Sequence, residues 1–388
     1  MTDCLAARVI RAIRSVVGPE SSPLHEPVFA GNEWQYLKEC IDTGNVASQG
    51  RFLEIFEDQI RAVTGAGHVV AVASGTAALH IALKLADVGE GDEVLVPALT
   101  FVATANAVTY CGAVPHFVEC EDRTLGIDAE LLKYHLVNNT EMRDGRCINR
   151  HTGRVIKALV PVHVFGHPAD LDGLCDLARD FCISVVEDAA EGLGSLFRGR
   201  HLGTFGLVGV LSFNGNKIIT TGNGGAILTD CATIADQARH IATTAKVAHR
   251  WEYKHDQIGY NYRLPNMNAA LGCAQIEQLP ELVKAKRNLY GKYLAAFQQV
   301  DEVELLAEPS KAKSNYWLQA IRLRNGSTKD FNKILEVGND LGYQLRPIWT
   351  PLHQLIAFSE CPRASLSTAE NLGQSIINLP STPHLGSI

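Results

Sequence analysis

Several features are missing from this 388-residue chain, and each absence removes a class of protein. Basic residues are not in excess: 35 Lys and Arg against 42 Asp and Glu give a formal charge of −7, without long like-sign runs. That argues against the electrostatic footprint of a nucleic-acid binder. No uninterrupted apolar run approaches the roughly 18 residues of a membrane span, so no membrane partner is expected. No repeat or low-complexity segment interrupts the chain, and its 46 % hydrophobic and 20 % charged residues exclude a disordered, collagenous or coiled-coil protein. The cysteines run from Cys4 to Cys361 without a C-x-x-C pair, and read as reduced, mostly buried thiols of the cytoplasm. In the opening MTDCLAARVIRAIRSVVG, Arg8, Arg11 and Arg14 are interleaved with Leu5, Val9, Ala12, Ile13 and Val16, so a short amphipathic helix is expected there rather than a signal peptide.

What is present is an alternation. At roughly 150 residues per domain, a chain of this length implies two closely packed domains. From about residue 68 short apolar runs alternate with helical patterns, the signature of an α/β sheet. HVVAVAS (68–74), DEVLVPA (92–98), AVPHFVE (113–119), VIKALVPVHV (155–164), CISVVEDA (182–189) and VGVLSF (208–213) are the expected strands. Between the first two, Ala78, Ile81, Ala82, Leu85 and Ala86 form an apolar stripe that Leu79 and Leu83 widen, which predicts a largely buried helix after Ser74. Near residue 245 a polar, aromatic stretch replaces the alternation. The expected division is an N-terminal helix and arm (1–30), a large α/β domain (31–250) and a smaller C-terminal α+β domain (251–388).

Four segments could carry chemistry, and each also has a plain structural reading. SGTAAL (74–79) sets hydroxyls and a glycine turn between a strand and a buried helix, where free N–H groups and the positive helix end can hold phosphate. Ser74 and Thr76 would equally cap an ordinary helix. The dinucleotide fingerprint G-x-G-x-x-G is absent, which disfavours a nicotinamide or flavin site. In VVEDAAEGLGS (185–195), Asp188 ends a buried strand; it either meets a cation such as a protonated cofactor ring nitrogen or caps the next helix. Lys217, in LSFNGNKIITTGNGGAILT (211–229), is either a solvated loop lysine or a neighbour of Asp188, since the intervening stretch is long enough to return a strand to the same sheet edge. QIGYNYRLPNMNAALG (257–272), with Arg263 in its middle, could equally be a polar connection ahead of a helix. HVFGH (163–167) places two histidines four apart, but Gly166 and Pro168 spoil the helix that zinc ligation needs at that spacing, so no metal is expected.

Taken in order, SGTAAL, VPALTFVATANAV, VEDAAEGLGS, SFNGNKIITTGNGG and GYNYRLPNMNAALG make the chain, from about residue 24 to its C-terminus, resemble the DegT/DnrJ/EryC sugar aminotransferases. PLHEPVFAGNEWQYLKECIDTG, ALTFVATANAVTYCGAVPHFVE and TTAKVAHRWEYKHDQIGYNYRLPN are most similar to the group of legionaminic-acid and bacillosamine-type pathways. The resemblance implies fold type I of the pyridoxal-phosphate transferases, aspartate aminotransferase-like, with a mostly parallel mixed sheet in the large domain. It makes Lys217 the Schiff-base lysine and Asp188 the partner of the pyridine nitrogen. Gly75, Thr76 and Ser212 would hold the phosphate of pyridoxal 5'-phosphate, Phe101 would lie against its ring, and Asn261 would reach a neighbour's phosphate across an active homodimer. Glu191 stands where many relatives have Gln, near the cofactor's 3-oxygen; a carboxylate there would share a proton with that oxygen or move away.

The implied reaction takes an amino group from L-glutamate, passes through pyridoxamine 5'-phosphate, and delivers the nitrogen to the C4 ketone of a nucleotide-linked 4-keto-6-deoxy sugar. The expected acceptor is UDP-linked with a 2-acetamido group; GDP- and dTDP-linked ketosugars, as for a perosamine synthase, are the alternative. Freed Lys217 would act as base on one carbon and acid on the other. Arg263, Arg346 and His353 are the candidate contacts to the nucleotide sugar. Two rivals stand beside this reading. One is a dehydratase of the same family, which replaces the lysine by histidine and is disfavoured by Lys217; the other is a non-catalytic binding or regulatory protein that kept the fold. Lipopolysaccharide, capsule, glycosylated flagellin and a nonulosonic acid precursor would each use such a step.

Overall fold

Runs rich in Val, Ile and Leu, bounded by turns, become the seven strands of one sheet. They are β1 (His68–Val72), β2 (Glu93–Pro97), β3 (Val114–Val118), β4 (Ile156–Leu159), β5 (Ser184–Asp188), β6 (Val208–Ser212) and β7 (Gly225–Thr229). The computed structural model describes residues 4–324 and 327–387; residues 1–3, 325–326 and 388, which fall within the expected segments 1–30 and 251–388, lie outside the described residues. The sheet order is β1-β7-β6-β5-β4-β2-β3. β7 pairs antiparallel with β1 and β6, and the other pairs are parallel. Every strand but β7 therefore ends at the same edge. The register sets Val208 beside Val186 and Val210 beside Asp188, which brings the ends of β5 and β6 together.

One expected strand segment is shorter than its apolar run, and one strand of this sheet was not among those expected. VIKALVPVHV yields only four strand residues, since Pro161 cannot donate to a ladder and Val162 makes just an isolated bridge to Asp188. The GGAILT run, absent from the expected strands, forms β7 between β1 and β6, antiparallel to both. Its Gly225 is required by crowding: a Cβ there would lie 2.6 Å from the Ser74 carbonyl.

Helices cover both faces: α1 (Leu5–Val17), α2 (Glu33–Asp42), α3 (Arg51–Thr64), α4 (Gly75–Leu85), α5 (Ala103–Tyr110), α6 (Ala129–Asn139), α7 (Leu171–Asp180), α8 (Ala232–Ala242), α9 (Asn266–Ile276), α10 (Leu279–Phe297) and α11 (Thr328–Asp340). α4 is buried from Ala77 to Leu83, as its apolar stripe predicts. On one side Leu132 and Leu136 of α6 and Leu174 of α7 pack over Leu95 and Leu159. A second, antiparallel sheet holds β8 (Val303–Leu305), β9 (Gln319–Leu323), β10 (Arg346–Pro347) and β11 (Ile376–Leu379) in the order β8-β9-β11-β10. Its separate core joins Val9 and Ile13 of α1 to Leu289, Tyr293, Ile321, Ile334 and Ile377. Truncating any of these isoleucines to Ala would remove about 2–5 kcal/mol.

The two cores draw on segments from distant parts of the chain. α1 packs into the core of the smaller sheet. The large unit runs past residue 250 and ends inside α10, where Leu279 and Leu282 join the main core and Leu289 joins the small one. α9 is tied to the large unit by the buried Asn266 amide, which accepts from Phe52 N–H (3.1 Å) and donates to the Asn45 carbonyl (2.7 Å). All ten cysteines carry free thiols. Among the described residues no helix is long and apolar enough to cross a membrane.

Candidate active site

The segments that leave β1, β2, β4, β5 and β6 at the shared edge, joined by the start of β9 and by β10 and β11, line one cavity of about 520 Å³. Ligand sites of open α/β sheets fall at this strand edge. Along one wall Ser74 caps α4, its hydroxyl accepting from Ala77 N–H at 3.1 Å. The first turn of the helix thus presents Gly75 and Thr76 to the cavity beside Ser212. Gly75 leaves space that a side chain would fill, for a Cβ there would stand 2.8 Å from Ser212 Cβ. Backbone N–H groups at a positive helix end, with a hydroxyl opposite, suit a phosphate.

On the floor, Asp188 is buried, with one carboxylate oxygen accepting from Thr104 Oγ1 (2.8 Å) and the other from Ala190 N–H (3.2 Å). Among the described residues no cation pairs with it, and a carboxylate offers about four acceptor positions. The unused ones suit a protonated ring nitrogen. Lys217, fixed at the end of the turn after β6, brings Nζ to 3.2 Å from Glu191 Oε1. Glu191 Oε2 accepts from the Phe165 N–H (2.8 Å). Burial pushes the Glu191 carboxyl above its ordinary range, and the Lys217 charge offsets this only in part. Phe165 reaches that position in the left-handed region, φ +56°, a strain of the kind that functional sites hold.

Sequence reasoning missed several of these groups. Thr104 is one. Another is the SNYW segment, where Asn315 donates to the Glu191 and Leu193 carbonyls (both 2.8 Å) and Trp317 lays its ring 4.0 Å from Lys217 Nζ. A cluster of polar and aromatic residues just ahead of a strand was the available signal. Asn378 on β11 also lines the cavity, opposite Arg346 on β10.

Of the expected residues, Gly75, Thr76, Phe101, Asp188, Glu191, Ser212, Lys217 and Arg346 meet in the cavity, Phe101 being 55 % exposed at its mouth. Asn261 and Arg263 do not. They are exposed beside the end of β1, bonded to each other (3.2 Å) and away from the cavity of their own chain. His353 is also absent from the lining: its ring is buried and paired through Nε2 with Glu370 at 3.0 Å. It lies in a short helix, Leu352–Gln354.

The phosphate cradle, the floor carboxylate and the lysine fit pyridoxal phosphate, and the fold and cavity together define an aminotransferase dependent on that cofactor. Residues 28–387 match the DegT/DnrJ/EryC1/StrS aminotransferase family, and the chain belongs to it. It is 35 % identical to the GDP-perosamine synthase of Escherichia coli O157:H7 over 94 % of each chain. It is 29 % identical to the UDP-N-acetyl-3-dehydro-alpha-D-glucosamine 3-aminotransferase of Acidithiobacillus ferrooxidans, over 94 % of this chain and 91 % of that one. The crystal structure of the aminotransferase TlmJ from Streptoalloteichus hindustanus superposes with a TM-score of 0.83 at 27 % identity, over 93 % of each chain.

Proposed function

We propose that this enzyme moves the amino group of L-glutamate to the C4 ketone of a nucleotide-linked 4-keto-6-deoxy sugar, giving a 4-amino-4,6-dideoxy sugar nucleotide. The observation that carries this is the meeting of Lys217, Asp188 and the Gly75–Thr76 helix end in one cavity. Bound there, pyridoxal phosphate supplies an electron sink and the carbon that ferries nitrogen from donor to acceptor. The N–H groups of Gly75 and Thr76 and the Ser212 hydroxyl hold the phosphate. Asp188, braced by Thr104 and Ala190, keeps a proton on the ring nitrogen facing it. The Lys217 amine takes a proton from one carbon and returns it to the next. Phe101, Phe165, Trp317 and Trp349 exclude water from the reacting centre.

Arg346, on the cavity wall, is the nucleotide-sugar contact that the chain's own geometry supports. Asn261 and Arg263 serve a second copy: in the homodimer the exposed Asn261 reaches the neighbour's phosphate. Reduced thiols and a sugar-nucleotide substrate agree with a cytoplasmic reaction. Two nucleotides have support. A relative named GDP-perosamine synthase favours the guanosine diphosphate sugar; the segments shared with legionaminic-acid and bacillosamine-type enzymes, and a relative named for a UDP-linked sugar, favour the uridine one. The guanosine reading is the first to test.

The test is the visible absorption of the cofactor-loaded protein. L-Glutamate is expected to bleach the band and a GDP-linked 4-keto-6-deoxy sugar to restore it. Recovery only with the UDP-linked 2-acetamido ketosugar selects the second reading. Bleaching that no ketosugar reverses removes the acceptor assignment, and a protein that takes up no cofactor revives the binding-protein alternative.

A further inference from the structure

Lys217 is braced at both ends by one side chain. Trp317 is buried, its indole N–H donates to the carbonyl of Asn216 (2.6 Å), the residue before Lys217, and its ring face lies 4.0 Å from Lys217 Nζ. Trp317 is itself clamped. Its N–H donates to Asn315 Oδ1 (2.8 Å), and its carbonyl accepts from the amine of Lys286 (2.8 Å), a wholly buried lysine that also reaches the Ser381 carbonyl. On the far side of the amine stands Glu191 Oε1. The lysine head thus lies between an indole face and a carboxyl, its side chain only 13 % exposed.

We propose that Trp317 is a positioning residue that seats the amine of Lys217, together with Glu191, whenever that amine is free. This rests on the amino-transfer reading, in which the amine is free for half of each cycle. A four-carbon stem with a loose head would lose aim, and about 1 Å of misplacement is enough for a roughly 10²-fold loss of rate. Indole is the best of the ring faces for holding the ammonium that this amine becomes once it has taken a proton. Lys286, which touches neither Lys217 nor the cavity, holds the seat by fixing the Trp317 backbone.

The experiment uses the apoprotein, pyridoxal phosphate, borohydride trapping and peptide mass to read the capture rate at Lys217, with exposed Lys38 and Lys329 as internal controls and thermal melting as the folding control. Trp317→Met, which removes the ring, is expected to slow capture at Lys217 by about tenfold while the controls stay constant. Trp317→Phe, which keeps a ring face, is expected to stay within about threefold of the parent. With L-glutamate, Trp317→Met should lower the single-turnover rate and leave KM unmoved. Capture by Trp317→Met at the parental rate overturns the proposal. Should that variant fail to fold, Trp317→Phe decides alone, and a tenfold loss there overturns it. No sugar enters the capture assay, so a wrong acceptor assignment would leave its result intact.

Discussion

Glu187 and Asp188 are neighbours on β5, and the pleat sends them to opposite faces of the sheet. Glu187 is wholly buried and fully partnered: it accepts from the N–H groups of Gly203 (2.9 Å), Phe205 and Gly206 (2.7 Å) and faces His163 Nε2 at 3.1 Å. Burial alone would raise its pKa, but His163 and the backbone amides outweigh it and hold the carboxyl below its ordinary range. Asp188 receives one hydroxyl and one amide, and its remaining acceptor positions face a cavity. The same contrast separates the lysines. Lys286 has its amine on two carbonyls and burial pushes it well below the ordinary lysine value, whereas Lys217 opens to the cavity. A buried ionisable group whose partners are complete holds structure, and one left incomplete beside a cavity is available for chemistry.

The comparison is open to direct attack. Lys217→Ala should lower amino transfer by about 10²–10⁴-fold with an unchanged melting curve, whereas Lys286→Ala should lose about 3 kcal/mol of stability in urea titration. Asp188→Asn should lose about 10²–10³-fold in kcat. Glu187→Gln should instead lose about 3 kcal/mol while each folded molecule keeps its activity. Were Glu187→Gln the more inactive and Asp188→Asn the less stable, the division of roles drawn here would be reversed.

The smaller effects are read through pH. Glu191 has its folded pKa raised by burial, so its share of stability is present below the ordinary value of 4.5 and is lost as pH rises through the raised one. Glu191→Gln in the apoprotein should therefore melt progressively higher relative to the parent as pH rises above that value. His167 and His201 are pushed by burial from 6.5 down to about 4. Their neutral rings favour the fold above pH 6.5, and that share drains away as pH falls toward about 4. His167→Asn should flatten this acid slope by about 2–4 °C in Tm, measured by calorimetry between the two values.

Asp188 was legible because it ends an apolar run and Lys217 because it follows one by a short turn, and strand alternation predicts which ends share an edge. The phosphate turn was legible for a local reason, since Ser74 and Gly75 adjoin a strand and a buried helix. Trp317 was not, because nothing in the hundred residues between it and Lys217 encodes their meeting. The polar stretch after residue 245 read as a domain border since the alternation stops there; that the Tyr262 carbonyl accepts from Ala73 N–H at 2.8 Å was not legible. The pairing of His353 with Glu370, 17 residues on, was not legible, since nothing local encodes it.

By itself, then, the sequence determined the alternation of strand and helix, the capped turn after β1 and the residue types available for chemistry, all of which follow from propensity and periodicity within a few residues. Only the tertiary structure decided which buried charges were satisfied, where the two cores divide α10, and that an indole from the segment ahead of β9 would stand 4.0 Å from the lysine amine. Those outcomes depend on partners brought from distant parts of the chain, and hydrogen-bond satisfaction is settled in three dimensions.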